Sequence, residues 1–371
     1  MRRLTVIRHL GLAIALFFLI DRAIFGSGIY FRWIAPDSSL GTMAQSIGNV
    51  RHIPPGARSI LVIGDSRITE GFSSAIATEE AQRLGSTLTF TGGGVAGTVP
   101  RVWYYLIRQI DQPAQHLAAI AIMLPSYHDN DEEQQAARVA DIAFVHPLLS
   151  LADLGVFPQS FPAPASRWEA VKAIIFKGYF YKNDVRDFIG DPMSRINTVN
   201  AWRRNGYIWN ALYPGRPTSL AGLAFNMATS ELTPALGHGA PQPVLLADYA
   251  AHLRVSQGRP PDNPDAAAYR QAWFGRIADL CQRIGVPLFV FRIPRGPLHY
   301  LVAADTQPTG EVATLDHRGQ IRLLPADSFD SLEKPQYFFD PMHMNRDGRG
   351  IFSTDLARLI LAGMPAAKAA K

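Results

Sequence analysis

The chain has 371 residues, 47% of them hydrophobic and 18% charged. That is enough for one large domain or two around a sizeable core, and it excludes global disorder and collagen-like repeats. The formal charge of +5 sits mostly at the start: Arg2, Arg3, Arg8, Arg22 and Arg32 against Asp21 give +4 over residues 1–33, which leaves about +1 for the rest and no basic footprint for nucleic acid. A single cysteine, Cys281, rules out an intramolecular disulfide and a Cys-based zinc site. Its helical spacing with Phe274, Ile277 and Ile284 reads as a buried structural thiol.

The first predicted element is a membrane segment. Basic residues 1–9 precede an unbroken apolar run from Leu10 to Ile20; Asp21-Arg22 interrupts it, and apolar sequence resumes to Phe31. As one helix, Leu10 to Phe31 would extend about 33 Å, enough to span a bilayer. No clear A-x-A site follows, so residues 1–33 are expected to be an uncleaved signal anchor, with a cleaved signal or a buried soluble helix as the alternatives. The leading arginines favour a cytoplasmic N-terminus and an exported body. The Asp21-Arg22 pair either meets a polytopic partner or snorkels at the interface. Residues 34–58, with Pro54-Pro55-Gly56, read as a linker.

Residues 59–371 read as an α/β domain. Ser59 to Ile63 is a short apolar strand ended by Gly64. Ser73 or Ser74 can cap a helix through Leu84, stopped by Gly85. A second strand is predicted over Thr87 to Thr91, and Pro100 opens a helix with Val102, Leu106 and Ile110 on one face. Leu117 to Leu124 reads as a strand buried on both faces. After Ala266 to Ile284, a helix stopped by Gly285, Val286 to Ile293 is a fourth strand. The alternation predicts a three-layer structure: a parallel sheet with helices on both faces. Residues from about 125 to 264 break it and read as a large helical and irregular insertion.

Three short motifs stand out, two of them directly after strands, where such sheets bind ligands beyond the carboxyl ends. Gly64-Asp65-Ser66-Arg67 follows the first strand and offers a hydroxyl nucleophile. Gly92-Gly93-Gly94-Val95-Ala96-Gly97-Thr98 precedes a helix, where backbone amides favour an anion. It is not a dinucleotide-binding fingerprint. Asp340-Pro341-Met342-His343 precedes the helix Ile351 to Leu361; its carboxylate can orient the imidazole while the other ring nitrogen faces Ser66. Taken singly, each motif also reads as a turn or a cap.

Together, this ordered set resembles the SGNH (GDSL-type) hydrolase superfamily over residues 59–124 and 265–362. The resemblance implies a flavodoxin-like sheet and a triad with Ser66 as nucleophile, His343 as base and Asp340 as its orienter. It implies an oxyanion hole from Ser66 and Gly97, with Gly94 as second choice. The family often carries Gly-x-Asn-Asp after the third strand. Here that stretch is Met123 to Asp131, and Asn130 lies too far along to match, so Ser126, a backbone amide or nothing takes its place. Arg67 stands where Leu is usual; it either holds an acyl or carboxylate group or pairs with a core acid such as Asp129.

The subgroup with an N-terminal membrane helix and a final Asp-Pro-x-His-x-Asn is similar to envelope proteins of bacterial polymer acylation, including alginate and cellulose acylation and teichoic-acid D-alanylation proteins. It implies an esterase or O-acyltransferase at the inner membrane, facing the periplasm. Its substrate would be an acylated glycan or exopolysaccharide, its partner a membrane-bound O-acyltransferase, and no cofactor is implied. The competing expectation is a catalytically silent scaffold of a polymer-synthesis complex. The histidines show no metal signature, and His128 beside Asp129 and Asp131 reads as a solvated loop. Aromatics of the insertion, among them Trp168, Tyr179 and Trp202, either pack a helical core or stack on sugar.

Overall fold

In a computed structural model, which describes residues 2–51, 53, 57–110, 117–129, 136–204, 213–226, 231–234, 264–297 and 306–364, the chain opens with helix α1, Arg2–Asp21, continued by a π-helical turn, Arg22–Gly26, and a 3-10 turn, Tyr30–Trp33. Then come α2 (Ser39–Arg51), β1 (Ser59–Gly64), α3 (Ser66–Gly71), α4 (Ser74–Arg83), β2 (Thr89–Gly94), α5 (Pro100–Ile110) and β3 (Leu117–Leu124). Next are α6 (Asp141–Val145), α7 (Pro164–Ile175), α8 (Lys177–Gly190), α9 (Pro192–Arg204), β4 (Leu223–Asn226) and β5 (Glu231–Pro234). The chain ends with α10 (Pro264–Arg283), β6 (Leu288–Arg292), α11 (Gly310–His317), β7 (Arg322–Leu323) and α12 (Arg346–Gly363). Two compact units divide it: Met1–Gln45 with Ala136–Tyr207, and Ser46–Gln135 with Ile208–Lys371.

The second unit is built on a five-stranded sheet of order β2-β1-β3-β6-β7, parallel throughout. This is the 2-1-3-4-5 order of a common doubly wound arrangement, whose ligand crevice opens where the winding reverses, beside β1 and β3. Every residue of β1 and β3 is buried, as parallel strands covered on both faces require. Helices flank the sheet in two groups. On α5 and α10, Tyr105 meets Trp273 at 5.7 Å between ring centroids, and Val102, Leu106, Phe274 and Ile277 are buried. On α4 and α12, Glu80 accepts from Arg358 at 2.6 Å. Cys281 is buried in the α10 face of the core.

Several expectations are corrected. The second strand is displaced towards its carboxyl end, so Gly92, Gly93 and Gly94 are strand residues paired with Val62, Ile63 and Gly64. A parallel ladder uses backbone groups alone, and a Cβ on Gly94 would lie 2.8 Å from the Thr69 nitrogen, so glycine suits that position. The expected linker is largely α2. Its Met43, Ile47 and Val50 are buried at one-turn spacing. Ser46 Oγ and Asn49 Nδ2 donate to the carbonyls of Gly94 and Gly92 at 3.2 and 3.3 Å. They cap carbonyls of the edge strand β2 that no neighbouring strand would otherwise satisfy. Within the stretch read as helical and irregular, β4 and β5 pair as an antiparallel ribbon. The two-residue β7 is too short to leave a periodic signal.

The first unit is helical. Arg8–Gly26 is long and apolar enough to cross a membrane. Leu12, Leu16 and Leu19 on α1 are exposed. Asp21, by contrast, is buried: its carboxylate accepts the N–H groups of Lys177 and Gly178 at 3.1 and 2.7 Å and so caps α8. Arg22 donates to the Ile174 carbonyl at 2.7 Å. Both charges are thus used inside this unit, an arrangement neither expectation for the pair described. Tyr30 and Arg195 converge on Asp184 at 2.6 and 2.9 Å. Tyr181 is buried and stacks on Phe25, whereas Trp168 and Tyr179 are exposed, so the aromatics serve both core and surface.

Candidate active site

Ser66 is the first residue of α3, directly beyond β1. Asp65 is extended and caps the helix, its Oδ1 accepting the Arg67 N–H at 2.8 Å. The same carboxylate pairs with the Arg67 guanidinium through Nε at 3.1 Å and Nη2 at 2.6 Å. Arg67 therefore forms an ion pair, but with its neighbour Asp65 rather than with Asp129. That acid instead faces Arg270 at 3.6 Å. The cap and the pair hold the turn that presents Ser66.

His343 arrives from the far end of the chain on a closed loop. Phe338 bridges to Met344, and the Phe339 N–H donates to the His343 carbonyl at 3.1 Å. Asp340 works inside this loop with both oxygens. Oδ1 accepts the N–H groups of Met342 and His343 at 2.9 and 2.7 Å, and Oδ2 meets His343 Nδ1 at 2.7 Å. The spacing of three residues lets one carboxylate shape the backbone and aim the ring. Burial pushes the Asp340 carboxyl up, but the hydrogen bond and charge of His343 and the two amides outweigh it and hold it below the usual range.

An ionised carboxylate only accepts, so in the neutral ring the proton sits on Nδ1 and Nε2 is the acceptor. His343 Nε2 lies 2.7 Å from Ser66 Oγ. The three residues form one continuous relay, closed across 277 positions of sequence. Such a relay withdraws the hydroxyl proton as the oxygen attacks an electrophile.

Gly97 occupies the turn after β2. Val95 N–H donates to the Gly64 carbonyl at 2.9 Å, which fastens the start of this turn beside the residue two before Ser66. Gly97 has φ +70°, a conformation costly for any residue with a Cβ. Thr98 Oγ1 donates to Val95 O at 2.6 Å and accepts the Trp103 indole at 2.9 Å, so the turn is held from both sides. Gly94 lies in β2 instead, its carbonyl taken by Ser46. Ser126 follows β3, is buried, and its Oγ accepts the His128 N–H at 3.0 Å within its own turn. Asn130 lies outside the described residues.

Four supports escaped sequence reasoning. The Phe339 ring stacks on His343, with centroids 5.7 Å apart and planes 13° from parallel. Arg216 lies 4.7 Å above the same phenyl ring, and its carbonyl accepts from Arg346 N at 2.8 Å. Tyr213, three residues earlier, donates to Glu70 of α3 at 2.5 Å. The buried Arg349 donates to the Thr69 carbonyl at 3.0 Å. An aromatic beside Asp-x-x-His was visible as a residue type; the pairing with residues 213–216 was not. Among the described residues, no group of three or more His, Cys, Asp or Glu is placed to hold a metal. No protein-family model matches this chain, and no curated protein matches it in sequence.

Proposed function

We propose that the protein is an exported, membrane-anchored serine esterase or O-acyltransferase of the SGNH type, acting on acyl, most simply acetyl, esters of an envelope or exopolysaccharide. The observation that carries this reading is the relay of two 2.7 Å contacts joining Ser66 to His343 and His343 to Asp340. It sits beyond the carboxyl end of β1 in a sheet wound to bind ligands there.

In this mechanism Ser66 Oγ bonds to the acyl carbonyl carbon while its proton passes to His343 Nε2. Asp340 stabilises the imidazolium so formed. The Ser66 and Gly97 amides hold the oxyanion. Collapse breaks the bond to the leaving alcohol, which takes the proton from His343. The acyl-enzyme is then resolved by water, giving a free acid, or by a sugar hydroxyl, giving a new ester. Both outcomes use the same residues, and the acceptor alone separates them. The relay favours chemistry over a silent scaffold, because a scaffold has no use for an imidazole aimed at a hydroxyl. Residues in the 125–264 region would form the insertion of this fold, and α1 the anchor to the inner membrane beside an acyltransferase partner.

The test is purified full-length protein given a small acetyl ester, with and without a polysaccharide acceptor, beside Ser66→Ala. Acetate release or acetyl transfer by the wild type alone supports the reading. Equal turnover by both proteins would remove Ser66 as nucleophile, and polymer acylation in cells supported equally by the variant would favour the scaffold.

A further inference from the structure

The helical unit carries a groove that the relay does not use. It lies between the end of the N-terminal helix (Phe17, Ile20, Phe25) and the α7–α8 corner (Phe176, Gly178, Tyr179), with a volume of about 470 Å³. That is within the roughly 300–1,000 Å³ of small-molecule sites. Asp21 also borders it, but its oxygens are taken by the Lys177 and Gly178 amides, so the charge is spent on the helix cap. The remaining walls are apolar apart from Lys172.

Two features identify the occupant. The first is continuity: Phe17 and Ile20 belong both to the groove wall and to the exposed apolar face of the helix, at 56% and 47% exposure. A bilayer around that face would open directly into the groove. The second is the rim. Tyr179 is exposed, with Lys182 Nζ 4.4 Å and Lys172 Nζ 5.1 Å from its ring centroid. Lys172 also pairs with Glu169 at 2.5 Å, whereas Lys182 has no carboxylate partner among the described residues. Trp168, one turn before Lys172, is exposed as well. Aromatics with an apolar body and a polar tip, beside lysines, mark the headgroup level of a membrane.

We infer that this groove holds one acyl chain of an anionic phospholipid of the surrounding bilayer, with the lipid phosphate between Lys172 and Lys182. The inference rests on the reading of Arg8–Gly26 as a membrane span. The bound lipid would fix the depth of the helical unit at the membrane surface. A neutral headgroup would gain nothing from the two ammonium groups, so phosphatidylglycerol should be retained over phosphatidylcholine.

The experiment uses the full chain in mild detergent, delipidated and then offered phosphatidylglycerol or phosphatidylcholine, with bound lipid counted by native mass spectrometry. The wild type should keep one phosphatidylglycerol. The double variant Lys172→Gln, Lys182→Gln should bind it about tenfold or more weakly, as the loss of two interfacial cations demands. Ile20→Trp, which fills the groove from its exposed wall, should lose both lipids while its circular dichroism is unchanged. Retention of phosphatidylglycerol equally by wild type and the lysine variant, or by none of the proteins, overturns the inference. A carbonate wash separates this from the anchor itself. A chain that stays in membranes yet keeps no lipid fails only the groove; one that washes off yet binds phosphatidylglycerol fails only the span.

Discussion

Asp340 is asked to do two things, and each has its own test. As orienter of His343 it fixes the tautomer that leaves Nε2 as acceptor. Asp340→Asn keeps the shape, but its amide can present N–H to Nδ1 and so favour the wrong tautomer. Turnover should fall by up to about 10⁴-fold with little change in KM, read from steady-state kinetics on an acetyl ester. As a loop-former, Asp340 links stability to pH. Its native pKa is lowered, so the unfolded state holds the proton more tightly. Its contribution is therefore complete above the ordinary aspartate value of about 3.9 and is lost as pH falls through the lower native value. Thermal melts from pH 6 downwards should lose more stability in the wild type than in Asp340→Asn, and nearly all of the difference should appear below about pH 5. Equal acid sensitivity of the two proteins would remove this role. These residues were legible because Asp-x-x-His is local: one carboxylate reaches both its amides and its ring within three positions. The pairing of Arg67 was misplaced because a guanidinium reaches back two residues as readily as it reaches across a core. Arg216 reaches the Phe339 ring from far along the chain, a contact that no local spacing reveals.

Among the elements, the buried parallel strands were the easiest to read, since covering both faces leaves continuous apolar runs such as Leu117–Leu124. Helix boundaries followed their punctuation: Ser73 caps α4 and Gly285, at φ +69°, follows α10. What was hidden lacked side-chain signal. β2 ends in three glycines, which carry no pattern, and is a strand because β1 offers it a ladder. α2 was masked by small and polar residues between its buried Met43, Ile47 and Val50. The glycine strand yields a test. Gly94→Ala places a Cβ 2.8 Å from backbone nitrogen and 2.9 Å from Oγ1 of Thr69, on the helix that begins with Ser66. Backbone yields less easily than a flexible side chain, so the variant should lose about 1–3 kcal/mol in chemical denaturation. An unchanged midpoint would show that α3 shifts freely, which the buried Arg349 anchoring Thr69 and Glu70 argues against.

At the scale of the whole molecule, the proposed function needs the N-terminal helix to cross the membrane and the relay to face outward. The apolar N-terminal helix was legible from its run of apolar residues, but the fate of Asp21 and Arg22 was not, because their partners Ile174, Lys177 and Gly178 lie more than 150 residues away. A periplasm-only reporter fused after Lys371 should be active, and the protein should remain with membranes through a carbonate wash; release of a shortened soluble form would show a cleaved signal instead. The central claim is that Ser66, His343 and Asp340 act as one nucleophilic relay. It is tested most directly by labelling with a fluorophosphonate, which needs no knowledge of the substrate. The wild type should take up one equivalent. Ser66→Ala should take up none while melting within about 1 kcal/mol of wild type, because it removes no core methylene. His343→Ala should label at least about a thousandfold more slowly. Absence of labelling in a folded wild type, or undiminished labelling of Ser66→Ala, would contradict the account.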